Sequence, residues 1–244
     1  MNRRPADLAL ILALIALAAP PVEARTQVPE WLEAAIRAPV PAYDPKVPAV
    51  VLHDEERVTM DADGRVRGVV RYAVRVLRYE GRAYAAQRQY YLADGGKMND
   101  VKAWLWRGPD DVVAYGKKDA IDVAMGTDVY NEARACGIDR SDQADVGMVF
   151  GFESSYEERQ FSGQFVYAFQ ADLPVLLSRF ALTLPAGWSP STVLFHHGDV
   201  APTAQGSTFT WELRDLPWIE DEPVRPALTS LAPRLAVDAR VPWR

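Results

Sequence analysis

Residues 65–76 read RVRGVVRYAVRV, and this alternation decides the fold. Val66, Val70, Tyr72, Val74 and Val76 fall on one side of an extended chain, and Arg65, Arg67, Arg71 and Arg75 fall on the other. Successive side chains of a strand point to opposite faces, so the pattern predicts a strand with one face in a core and one in water. Just upstream, Asp61-Ala62-Asp63-Gly64 supplies a turn, so residues 49–79 read as a long β-hairpin.

The same period continues downstream. Gly81 is expected to open a further strand through Tyr84, Gln87, Gln89 and Tyr91. Val146, Met148, Phe150 and Phe152 share one face, Phe165, Tyr167 and Phe169 another, and Phe180, Leu182 and Leu184 a third. Trp211 sits in a last strand near Thr208–Leu213. Short strands separated by Gly, Pro and Asp turns predict an all-β fold, an antiparallel β-sandwich. Lys117 to Gln143 is polar and irregular and reads as a long loop with room for one helical turn.

Upstream, residues 29–37 read as one short helix, with proline suited to its first turn and Trp31, Leu32, Ala35 and Ile36 on one side. Pro39, Pro41, Pro45 and Pro48 then mark a linker. Pro217, Pro223, Pro226, Pro233 and Pro242 make the end of the chain an extended, proline-rich C-terminal tail.

The first residues follow a different logic. Arg3 and Arg4 precede an apolar run from Leu8 to Ala19, and Val22 and Ala24 are small side chains at its exit. These are the three parts of a secretory signal, cut after Ala24. The run falls short of the roughly 20 residues that span a bilayer. The expected division is a signal peptide over 1–24, helix and linker over 25–48, a β-sandwich over 49–216 and an extended segment over 217–244. A periplasmic or secreted location follows, with no membrane span after cleavage.

Composition narrows the function. The chain has 244 residues, 49% of them hydrophobic and 25% charged, a balance that suits a folded domain rather than a disordered one. A net charge of −6 argues against nucleic-acid binding, which needs a basic surface to displace counterions. The single cysteine permits no intrachain disulfide, so stability must come from the core.

Few residues invite chemistry. Cys136 with His196 or His197 and Asp199 has the residue types of a thiol hydrolase. Yet such thiols are commonly activated at a helix N-terminus or by a neighbouring cation, and Cys136 lies in a polar loop without the aromatic-glycine setting usual for such nucleophiles. His196 and His197 alternate across a strand, so only one of them could join Asp199 at a metal, too few ligands for zinc. Asp54-Glu55-Glu56 and Glu220-Asp221-Glu222 are acidic clusters, and Asp61-x-Asp63-Gly64 is a fragment of a calcium loop that hairpin chemistry explains better. The arginines of residues 65–75 fit a solvated face paired with acidic neighbours. Trp104 and Trp106, two apart, emerge on the same side of a strand. Exposed, they form a stacking platform for a sugar ring or a peptide; buried, they are core.

Several motifs together resemble a known family. They are Asp63-Gly64 with Leu77-x-x-Glu80-Gly81, Trp104-x-x-Arg107-Gly108-x-Asp110, Phe169-Gln170-x-x-x-Pro174 with Leu182-x-Leu184-Pro185, and Trp211-Glu212-Leu213-x-x-Leu216-Pro217-x-x-Glu220-x-Glu222-Pro223. In order and spacing the chain, from about Trp31 onward, is similar to the β-rich domain of unknown function found N-terminal to transglutaminase-like domains in exported bacterial proteins. The resemblance implies a partner domain of papain-like fold and transfers no catalytic residue.

The sequence thus predicts a non-catalytic exported module that binds or supports a partner, either a transglutaminase-like domain or a cell-wall component. No catalytic residue, metal or cofactor is expected. The alternatives are a glycan- or peptide-binding module using Trp104 and Trp106, and a thiol hydrolase using Cys136.

Overall fold

The structure, a computed structural model, describes residues 28–126, 132–159 and 162–239. The expected signal peptide, residues 1–24, lies outside the described residues. Among those described, no helix is long and apolar enough to cross a membrane.

One helix, α1 (Glu30–Arg37), precedes the strands β1 (Ala49–Met60), β2 (Arg65–Val76), β3 (Ala86–Leu92), β4 (Lys97–Gly108), β5 (Asp111–Tyr115), β6 (Ile121–Ala124) and β7 (Ala133–Asp139). After them come β8 (Val149–Arg159), β9 (Gln164–Ala168), β10 (Val175–Thr183), β11 (Ser191–Phe195), β12 (Thr203–Gln205), β13 (Thr208–Leu216) and β14 (Arg234–Asp238). Eight strands form one large sheet in the order β12-β13-β10-β1-β2-β8-β4-β5. Two small sheets, β11-β14-β9 and β3-β7-β6, lie on one face of it.

The all-β sandwich expected from period two is present. Val66, Val74 and Val76 of β2 are buried, and Phe150 and Phe152 of β8, Phe180 and Leu182 of β10, and Trp211 of β13 join them in one core. From the small sheets, Phe165, Tyr167, Leu235, Cys136 and Ile138 close that core. Tyr167 stacks on Phe180 at 5.3 Å, and Phe180 reaches Trp211 at 6.0 Å, a run of ring contacts that ties the two layers together.

The opposite face of the large sheet is covered in part by α1. Glu30 and Glu33 in its first turn and Arg37 in its last complement the helix dipole. Leu32 is fully buried over Gly151 of β8, where an added Cβ would lie 2.4 Å from a Leu32 methyl. Glycine at that position lets the helix approach the sheet, and burying Leu32 contributes roughly 2 kcal/mol. Arg75 donates to the Ile36 carbonyl at 2.7 Å, fastening the helix C-terminus to β2.

Four details depart from the sequence reading. Residues 79–84 form a 3-10 helix, and the strand expected from Gly81 begins only at Ala86. Arg82 holds that turn by donating to the Ser141 and Asp142 carbonyls. The expected loop over Lys117–Gln143 contains β6 and β7, whose alternation is masked because β7 reads ARACGID, with mostly small side chains. In the C-terminal tail, Arg234–Asp238 forms β14, the middle strand of its sheet, so β13 is not the last strand. Finally, β1 and β10 pair in parallel inside an otherwise antiparallel sheet.

Candidate functional site

The site is built by an irregularity in β1. Val51 stands opposite Val74 of β2, but His53 stands opposite Ala73, so Leu52 is an extra residue. A bulge of this kind reverses the faces of everything after it. Beyond it Asp54, Val58 and Met60 face the sandwich interior, with Glu56 bonded there to Tyr156, while His53, Glu55 and Arg57 emerge on the helix side.

On the helix side, Glu55 anchors a row of charges that crosses six strands. Its cross-strand partners are Arg71 on β2 and Arg179 on β10. Arg71 faces Glu153 on β8, which in turn faces Lys102 on β4, and Arg179 faces Glu212 on β13. The row therefore alternates acid and base throughout, the cross-strand pairing that stabilises a sheet face. Arg71 donates to Glu153 at 2.8 Å and Arg179 to Glu212 at 2.6 Å, while Arg214 adds a bond to Glu212 at 2.7 Å.

Glu55 is 1% exposed. Arg179 and Arg57 each donate to it at 3.0 Å, and Arg71 lies 3.5 Å away. Burial alone would raise its pKa, but the nearby His53 ring and the bonded Arg57 guanidinium overcome that and hold the carboxyl well below the usual carboxylate range.

Between this row and α1 lies a cleft of about 390 Å³. Ala34, Ala35, Leu52 and Leu176 line its apolar part, and four guanidiniums, of Arg57, Arg71, Arg179 and Arg214, stand around it with the single carboxylate of Glu55. Trp31 and His53 complete the wall, their rings 5.5 Å apart, and the Arg71 guanidinium sits 5.8 Å from the Trp31 ring centroid. These residues escaped the sequence reading. The signal available was the run His53, Glu55, Arg57 at period two, but nothing local places β10 and β13 beside it.

The interior holds the opposite arrangement. A second space, about 320 Å³, is lined by Asp54, Tyr72, Tyr84, Gln87, Gln170 and Asp172 among others. Tyr84 donates to Asp172 at 2.6 Å, and Tyr156 donates to Glu56 at 2.6 Å. Burial, and then the nearby Glu56, push the Asp54 carboxyl up to about 7 against a bond from Tyr167.

The sequence candidates are placed as follows. Trp104 and Trp106 do share a face, the one that α1 covers. Trp104 is 8% exposed and meets Trp31 edge-on at 6.3 Å, while Trp106 is partly buried in the same cluster. The pair is thus packed beneath the helix rather than standing clear of the surface. Cys136 lies within β7, 2% exposed, and burial pushes its thiol up, away from the thiolate a nucleophile requires. His196 and His197 lie in an exposed turn after β11. Among the described residues no three His, Cys, Asp or Glu side chains gather as a metal site. Three of the four arginines of β2 are held by partners: Arg67 by Asp61, Arg71 by Glu153 and Glu55, and Arg75 by the helix carbonyl.

No curated protein matches the chain. Among solved structures, the crystal structure of a protein described as a "putative protease" from Parabacteroides distasonis matches with a TM-score of 0.66 at 14% identity, over 78% of this chain. The chain spans only 40% of the length of that protein, so the likeness concerns one part of a longer molecule, and it is a likeness of fold. Yeast LTA4 hydrolase in complex with bestatin gives a TM-score of 0.38 at 8% identity, over 86% of this chain and 33% of that one. The family described as a domain of unknown function, DUF3857, matches residues 62–220, from the hairpin turn to just past β13. The chain belongs to that family.

Proposed function

We propose that the chain is an exported, non-catalytic β-sandwich module that works by binding, and that it supports a partner domain of the transglutaminase-like kind. The observation that carries this reading is the cleft beside α1. Guanidiniums, an indole and an apolar floor recognise and hold, and the one thiol of the chain is packed in the core on the other side of the large sheet. The partner is supported by the fold likeness, since in the Parabacteroides protein the same fold is one part of a longer chain. Export is supported by the charged, apolar and small residues that open the sequence.

The test is made on the mature chain, residues 25–244. It is incubated with fluorogenic peptide and ester substrates and with an iodoacetamide probe. The expected results are turnover at the buffer rate and labelling of Cys136 only after unfolding. Turnover that disappears in Cys136→Ala contradicts the reading.

A further inference from the structure

We propose that the cleft between α1 and the charged row receives the free carboxylate end of a peptide whose terminal side chain is small and apolar. This rests on the reading of the chain as a binding module. It is carried by three separate features of the cleft.

The first is charge. Four guanidiniums and one carboxylate line the cleft, and although Glu153 and Glu212 pair with Arg71, Arg179 and Arg214 from outside the lining, the cations remain in excess by one in a chain that is acidic as a whole. Arg57 and Arg214 are the accessible members, their side chains 54% and 59% exposed. Each spends part of its fork on Glu55 or Glu212, and a guanidinium has five N–H donors in all. The remaining donors match the two oxygens of a carboxylate, the pairing that planar guanidinium geometry favours.

The second is shape. A volume of about 390 Å³ lies at the small end of ligand pockets, which run from roughly 300 to 1,000 Å³. Ala34, Ala35, Leu52 and Leu176 give the apolar side a short floor suited to a methyl-sized side chain.

The third is an unmet polar demand. His53 is 9% exposed and its Nε2 has no hydrogen-bond partner, 3.7 Å from the nearest Glu55 oxygen. The Trp31 Nε1–H, in the same wall, is also buried without an acceptor. An indole N–H can only donate, and an unsatisfied buried donor is costly. Both atoms are closed to solvent as the wall stands, so an oxygen-bearing ligand meets this demand by turning the rings toward it.

The experiment is calorimetric titration of the mature chain with N-acetyl-trialanine, with its C-terminal amide, and with octanoate. The peptide is recovered afterwards and weighed by mass spectrometry. The acid is expected to bind at least about tenfold more tightly than the amide, consistent with charge-assisted bonds. That preference is expected to weaken with added salt and to vanish in Arg57→Gln/Arg214→Gln, with Lys118→Gln, an exposed cation outside the row and the cleft, as a control that leaves it intact. Equal binding of acid and amide, tighter binding of octanoate, or no binding overturns the inference. Peptide returned cleaved or altered overturns the non-catalytic reading instead, so the two failures are distinct. Should the double variant fail to fold, Arg214→Gln alone is expected to reduce the preference, and an unchanged preference there is contrary evidence.

Discussion

Asp54 and Glu55 are neighbours in the chain, and the two sides of β1 give them opposite fates. Asp54 faces the interior beside Glu56 and a set of tyrosines, in a pocket with no cation among its described lining residues, and its carboxyl is pushed up to about 7. Glu55 faces the helix side among three guanidiniums, and its carboxyl is held down despite burial. Residue type does not distinguish them; a single extra residue at Leu52 does. The lesson is that a β-bulge can sort charges between two faces and so decide which face carries recognition. The outer face carries a cleft lined by guanidiniums, and the inner face a pocket lined by carboxyls, tyrosines and apolar side chains.

The largest effect is expected where the outer arrangement is broken. Glu55→Gln leaves Arg57, Arg71 and Arg179 around a neutral amide, and loss of one partner from a buried ion network is costly. Urea denaturation at pH 7 is expected to show a loss of about 3 kcal/mol. The pH dependence has a definite sign. The folded pKa lies below the unfolded one, so this stability is present above the ordinary glutamate pKa and fades as pH falls beneath it. Wild type and variant should therefore converge in acid.

A smaller effect, of opposite sign, is expected on the inner face. Asp54 has its folded pKa raised, so the folded state holds a proton that the unfolded state gives up between the ordinary aspartate range and about 7. Stability is therefore lost as pH rises through that window. Asp54→Asn removes the loss, and its stabilisation is expected to be about 2 kcal/mol greater at pH 8 than at pH 5. Equal effects at the two pH values contradict the placement of Asp54.

The smallest effect sharpens the inner face further. Gly68 of β2 stands opposite Tyr156, and a Cβ there would lie 2.2 Å from the ring. Gly68→Ala forces the ring to shift and weakens its bond to Glu56. A loss of about 1 kcal/mol is expected, of the size that overpacking brings. The Tyr156 side-chain resonances should move more than those of any residue in the outer cleft.

Much of this framework can be read along the sequence, because β2 alternates between apolar side chains and arginines over most of its length and β8 and β10 repeat Phe150/Phe152 and Phe180/Leu182 at period two. The helix too is legible, since Leu32 and Ala35 lie on one side and Pro29 opens it. What escapes local reading is pairing between distant segments. Glu55 meets Arg179, 124 residues away, through a parallel contact that no turn announces. The bulge escapes as well, because Val-Val-Leu-His-Asp-Glu-Glu gives no sign of which residue is extra. Strand β7 hides because Ala135, Cys136 and Gly137 are small and buried together, leaving no alternation to count. Trp104 and Trp106 illustrate the reverse case. Their common face follows from spacing, but the helix that covers it is brought there by Gly151, far along the chain.

The separation of charges by β1 is tested most directly by carbon-detected NMR titration of the Asp54 and Glu55 carboxyls in the mature chain. The expected result is an Asp54 midpoint near 7 and a Glu55 signal that stays ionised to well below the ordinary carboxylate range. Two carboxyls titrating together near 4, the unperturbed value, would contradict it.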